Sequence, residues 1–194
     1  MGQYYRGIVL QEDKKIPIKY IQSWDFGEGA KLMEHSYIDN VYVAVMEILL
    51  YQNPLNVVWA GDYADGEDKN DTESDNLYHI VETYKKITPM YLGKRIEWLQ
   101  GTTIKTMLKK TFVVNHDKKV FYRRPIYKKE TLTINPLPLL VCEGNQRGGG
   151  DYYGSNETLI GSWSRDSIEI IPADKFYLPN YIEIYPHFEE SLEV

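Results

Sequence analysis

A single cysteine in 194 residues, Cys142, leaves no partner for an intrachain disulfide and excludes a four-cysteine zinc site. The four histidines, His35, His79, His116 and His187, show neither His-x-His nor His-x-x-x-His spacing, so no paired zinc ligands are expected. No apolar run approaches the roughly 20 residues that span a bilayer, and no early apolar run reads as a signal peptide. An excess of positive charge is also missing. The net charge of -6 argues against nonspecific nucleic-acid binding. These absences lead to the expectation of a cytoplasmic protein in a reducing compartment, with no membrane partner, resident metal or cofactor.

Tyrosine is abundant, with 17 copies, and hydrophobic residues make up 43% of the chain. That is enough for a core without covalent staples. Tyrosine fills half-buried strand faces while keeping a hydroxyl near water, and it recurs at interfaces. The length fits one globular domain over 1–194. Charge is segregated: residues 61–76 hold seven acids and one base, whereas residues 104–129 hold nine bases and one acid. Such a layout either steers a charged partner through the basic face or amounts to two solvated faces that keep the protein soluble.

Tyr4 to Leu10 and Ile16 to Trp24 read as a hairpin. Asp39 or Asn40 caps a helix running to about Tyr51, and Asn56 to Ala60 is a buried strand. Asp75 caps a second helix over Asn76 to Lys86, with a weaker one over Met90 to Gln100. Thr111 to Val114 and Val120 to Arg123 form a hairpin around Asn115-His116-Asp117-Lys118. Strands are then expected at Thr131 to Asn135, Leu137 to Cys142, Thr158 to Trp163, Ser167 to Ile171 and Tyr181 to Tyr185. The fold class is α+β, a mostly antiparallel sheet with two or three helices packed on one face.

The segment from Asn145 to Asp151 is the first place to look for a ligand. Gly148, Gly149 and Gly150 free the backbone to turn and expose its N–H groups, and Arg147 and Asp151 flank them with opposite charge. Neither a phosphate-binding Gly-Lys-Ser/Thr nor a dinucleotide fingerprint follows. Asp62 and Asp65 lie in a second loop, where an apolar strand ends in Gly61, and Arg165-Asp166 make a third. If these loops converge, Arg147 or Arg165 would neutralise an anion and Trp59 or Trp163 would stack on a base. Asp62 or His35 would serve as a general base if the same pocket hydrolysed its ligand. Each residue also has a structural explanation, as turn former, core aromatic or core histidine. Cys142, in an apolar stretch, reads as an inert thiol.

Several segments together resemble a group of uncharacterised small proteins of gut bacteria and their phages. They are Gly2-Gln3-Tyr4-Tyr5, Lys31-Leu32-Met33-Glu34-His35-Ser36, Val58-Trp59-Ala60-Gly61-Asp62-Tyr63-Ala64-Asp65, Asn115-His116, Asn135-Pro136-Leu137-Pro138-Leu139-Leu140 and Gly148-Gly149-Gly150-Asp151-Tyr152. The resemblance implies an intracellular bacterial or phage setting and brings no activity with it. The sequence thus leads to a binding protein for a small anionic ligand such as a nucleotide. Its alternatives are a host-protein interaction factor without a small-molecule site and a hydrolase.

Overall fold

The computed structural model describes residues 3–68, 74–90, 104–125, 133–144 and 150–189. Strand β1 (Tyr5–Leu10) and strand β2 (Pro17–Gln22) form the opening hairpin, with Ile8 opposite Tyr20. Asp13 closes its turn by accepting the backbone N–H groups of Lys15 and Ile16. Strand β3 (Leu55–Gly61) lies antiparallel on the other side of β1, so that Tyr5 faces Gly61. β4 is Lys85–Lys86, β5 Thr111–Asn115, β6 Val120–Arg123, β7 Cys142–Glu143, β8 Ser167–Pro172 and β9 Ile182–Glu183. The sheet runs β4-β2-β1-β3-β8-β5-β6-β9, with β7 beside β3. Five pairings are antiparallel and three, β2 with β4, β3 with β7 and β6 with β9, are parallel. The second edge of β3 is divided: Leu55 and Asn56 pair with β8, while Trp59 and Ala60 pair with β7.

Five α-helical segments occur among the described residues: α1 (Leu32–His35), α2 (Val41–Leu50), α3 (Leu77–Ile80), α4 (Ile104–Leu108) and α5 (Pro136–Val141). Asn40 starts α2 by accepting the N–H of Val43 at 3.2 Å, and every residue of α2 after Val41 is buried. The second expected helix is shorter. Asn76, rather than Asp75, caps α3, which continues as a 3-10 turn over Val81–Thr83 before β4 begins. Of the helix expected over 90–100, all but Met90 lies outside the described residues, as do residues 131 and 132.

Two expected strands are not strands, and of a third, over 131–135, the described residues hold only an isolated bridge from Ile134 to Tyr37. Residues 136–141 form α5, whose start is set by Asn135 accepting the N–H of Leu137 at 3.1 Å. Pro136 and Pro138 fall in the first turn, where missing N–H groups break no helical hydrogen bond. Residues 158–163 belong to a 3-10 turn at Glu157–Leu159 and the bends after it. Gly161 has φ 68° there, and a Cβ would meet the carbonyl oxygen of Cys142 at 2.7 Å.

Alternation along β1 and β3 sorts the core. Tyr5, Val9, Val57 and Trp59 join α2 and α5 in the main cluster, while Ile8, Leu10, Val58 and Ala60 join Leu77 and Tyr78 of α3 in a second. Side chains of opposite parity point to opposite faces. Helical segments therefore cover both faces of this part of the sheet, where the sequence expects them on one. α2 also carries a charge inward: Glu47 accepts from Arg124 Nε at 2.6 Å and Nη2 at 2.9 Å, and from Asn135 Nδ2 at 3.0 Å.

Candidate functional site

The three strand-end loops meet in part. Lys15, the chain from Ala64 to Asp68, Glu143, Gly144 and Arg165 line one cleft of about 560 Å³. Arg165 sits in the left-handed region at φ 63°, and its N–H donates to Val57 O at 2.9 Å. That places its side chain across the mouth of β3 and β7. Its guanidinium donates from Nε to Glu143 Oε1 at 2.7 Å and from Nη2 to Glu143 Oε2 at 2.6 Å. It donates from Nη1 to Glu67 Oε2 at 2.9 Å, from Nη2 to Glu67 Oε1 at 2.6 Å and from Nη1 to Lys14 O at 3.4 Å. A guanidinium has five N–H donors, and all are engaged. Burial alone would lower the pKa of Arg165; the hydrogen bonds to Glu67 and Glu143 outweigh that and raise it. An anion reaches this cation only by displacing a carboxylate.

Of the predicted residues, Asp65 and Arg165 line the cleft, and Asp62, Gly150, Asp151, Trp59 and Trp163 make contacts elsewhere. Asp62 accepts the N–H of Tyr4 at 3.0 Å through Oδ1, and its own N–H donates to Tyr4 O at 3.0 Å, so it ties the chain after β3 to the chain before β1. Asp166 accepts from Asn115 Nδ2 at 2.8 Å, beside Lys14 and Lys118. Gly150, at φ 57°, packs against the ring of Tyr5. Asp151 accepts the N–H of Met33 at 3.0 Å at the start of α1, and its pKa is raised chiefly by burial. Asn145, Arg147, Gly148 and Gly149 lie outside the described residues.

The expected stacking tryptophans are core residues. Trp59 is 0% and Trp163 2% exposed, so neither offers a face to a base. His35 is fully buried as well. Its Nδ1 lies 3.0 Å from Gly29 O, and Trp59 Nε1 donates to its Nε2 at 2.9 Å. A carbonyl only accepts and an indole only donates, so the ring is the neutral Nδ1–H tautomer. Burial pulls its pKa down to about 4. With both nitrogens taken and no path to solvent, His35 positions Trp59 and is not placed as a base. Cys142 is buried, its thiol pushed up to about 12 by desolvation, which fits an inert core thiol.

A second concavity, missed in the sequence, lies on the α3 face of the sheet. Tyr4, Trp24, Ala30, Lys31, Glu34 and Tyr78 line an open groove of about 660 Å³. Tyr4 and Trp24 are each 46% exposed. Beneath them runs Arg6, whose guanidinium carbon lies 4.1 Å from the centroid of Tyr78, 5.6 Å from Trp24 and 5.7 Å from Tyr20. Arg6 Nη1 donates to Tyr78 O at 2.6 Å and Nη2 to Glu82 at 3.0 Å. The available signal was strand parity: Tyr4, just before β1, is two residues from Arg6, and Tyr20 lies on the hairpin mate. Other exposed aromatics, Tyr177 at 83% and Tyr185 at 80%, flank β9 with Ile182 at 68%.

Among the described residues no three His, Cys, Asp or Glu side chains gather to hold a metal ion, and no helix is long and apolar enough to cross a membrane. No family model, curated protein or solved structure matches the chain.

Proposed function

We propose that the protein works by binding another protein, as an interaction factor rather than a catalyst. One observation carries this reading: the Tyr4–Trp24–Tyr78 groove is open and aromatic, with Tyr4 and Trp24 half-exposed above a buried Tyr78 that stacks on Arg6. Aromatic side chains of this kind anchor protein interfaces, because they contribute large contact area at little cost in rotamer entropy. The resemblance to small proteins of gut bacteria and phages suits a factor aimed at a host protein. The test is capture from a bacterial lysate by immobilised wild-type chain and by a Tyr4→Ala/Trp24→Ala variant of matched thermal stability. A protein retained by the first and lost by the second is expected. Identical retention by both removes the groove from the reading.

A second reading is favoured by the convergence of Asp65, Glu143, Gly144 and Arg165 in one cleft: a small anionic ligand, with Glu67 holding its place on Arg165 until it binds. Thermal-shift titration with ATP and inorganic phosphate tests it. Glu67→Gln frees part of the guanidinium and raises the apparent affinity under this reading. No stabilisation of either wild type or Glu67→Gln by millimolar ligand sinks it.

A further inference from the structure

We propose that the Tyr4–Trp24–Tyr78 groove takes a basic, extended peptide segment of another protein, with an arginine or lysine laid across the outer face of Trp24. This rests on the protein-binding reading and names the partner's chemistry. The rings already show their preference. Tyr78, Trp24 and Tyr20 surround the chain's own guanidinium, at 4.1, 5.6 and 5.7 Å. The electron-rich face of an aromatic ring attracts cations, arginine most often. Trp24 and Tyr4 nevertheless keep nearly half of their surface open to solvent.

Charge around the groove selects the same partner. Glu34 is on the lining, and Asp62 and Glu82 are close enough to act on the Tyr78 hydroxyl. Against them stand Lys31, whose Nζ lies 3.4 Å from Glu34, and Arg6, whose side chain is only 7% exposed and is answered by Glu82 at 3.0 Å. Glu34, Asp62 and Glu82 outnumber Lys31 and Arg6 by one charge. Beyond β3 the described residues 62–68 carry four acids, Asp62, Asp65, Glu67 and Asp68, and no lysine or arginine, with Glu67 held by Arg165. An acidic partner is repelled here, and a basic one is steered in before it touches the rings. The open form of the groove suits an extended segment lying across it better than a small molecule enclosed by it.

The test uses the full chain and three probes: hexa-arginine amide, hexaglutamate and spermine. Hexa-arginine is expected to shift the indole N–H resonance of Trp24 saturably in 15N–1H spectra, whereas hexaglutamate leaves it in place. By anisotropy of a labelled hexa-arginine, Trp24→Ala weakens binding about fivefold, and Trp24→Phe retains most of it. Glu34→Gln keeps its hydrogen bond to the Lys31 N–H and still weakens binding, which serves if Trp24→Ala fails to fold. Perturbations gathered on residues 62–68 with Trp24 unmoved overturn the proposal. Equal affinity for spermine does so too, because the groove would then respond to charge alone. Concentration-dependent dimerisation that depends on Trp24 would also overturn it, by making the occupant a second copy. If lysate capture depends on Trp24 while hexa-arginine does not bind, the basic-peptide assignment fails and the protein-binding reading stands.

Discussion

Glu47 of α2 and Arg124, just past β6, meet in a two-pronged ion pair with side chains 0% and 2% exposed. The pair ties the longest described helix to the β5–β6 hairpin, and Asn135 fastens the start of α5 to the same carboxylate. Removing one member of such a pair strands the other charge away from water. Arg124→Met is therefore expected to cost about 3–5 kcal/mol in urea unfolding. The double variant Glu47→Leu/Arg124→Met should recover much of that loss. If the double is no more stable than the single, unpaired charge is not the source of the cost.

His35 makes stability fall in mild acid. Its ordinary pKa of 6.5 drops to about 4 in the fold, mainly through burial. Between those values the unfolded chain binds a proton that the folded chain refuses, so stability is complete above about 6.5 and declines as pH falls toward 4. The penalty is of order 3 kcal/mol by the bottom of that window. Proton NMR of the His35 ring checks this, and a midpoint near 6.5 in the native protein contradicts it.

Arg165 joins Glu67 from the acidic loop, Glu143 of β7 and the carbonyl of Lys14 in the first hairpin. Arg165→Ala leaves two partly buried carboxylates facing each other and is expected to cost about 1–3 kcal/mol. Arg165→Lys should restore little, since an ammonium cannot reproduce a planar five-donor fork. Thermal unfolding of the two variants decides this, and a lysine variant equal to wild type removes the geometric argument.

Gly7 lies where β1 passes closest to its neighbours. A Cβ there would stand 2.9 Å from Ile21 Cγ1 and 3.1 Å from both Met46 Cε and Trp59 Cη2. Gly7→Ala is expected to destabilise by about 1–3 kcal/mol through overpacking. A melting temperature within a degree of wild type would show that these side chains move aside freely.

The elements legible in the sequence were those whose pattern is local. The β1–β2 and β5–β6 hairpins, the Asn40-capped α2 and the apolar run of β3 all stand where the residues put them. α5 was misread because Leu137 to Val141 is an apolar run too short for period to separate strand from buried helix. The deciding mark was Asn135 followed by Pro136, a cap and a first-turn proline. Convergence of Asp65, Glu143 and Arg165 was foreseeable from strand ends, but the saturation of Arg165 was not, since Glu67 is one acid among several in its loop. Trp59 and His35 looked available because burial is a property of packing. The aromatic groove was hidden because Tyr4, Trp24 and Tyr78 come together only after the hairpin closes and α3 docks.

The outermost rungs of the sheet, β4 and β9, are each two residues long, and β4 consists of Lys85 and Lys86. Such stubs give an approaching strand almost no ladder to extend, and lysine on an edge disfavours strand addition even with Lys86 paired to Asp25 at 3.2 Å. Intermolecular β-growth is thereby discouraged at the margins, leaving an aromatic-rich chain free to display tyrosine and tryptophan without recruiting copies of itself into fibrils.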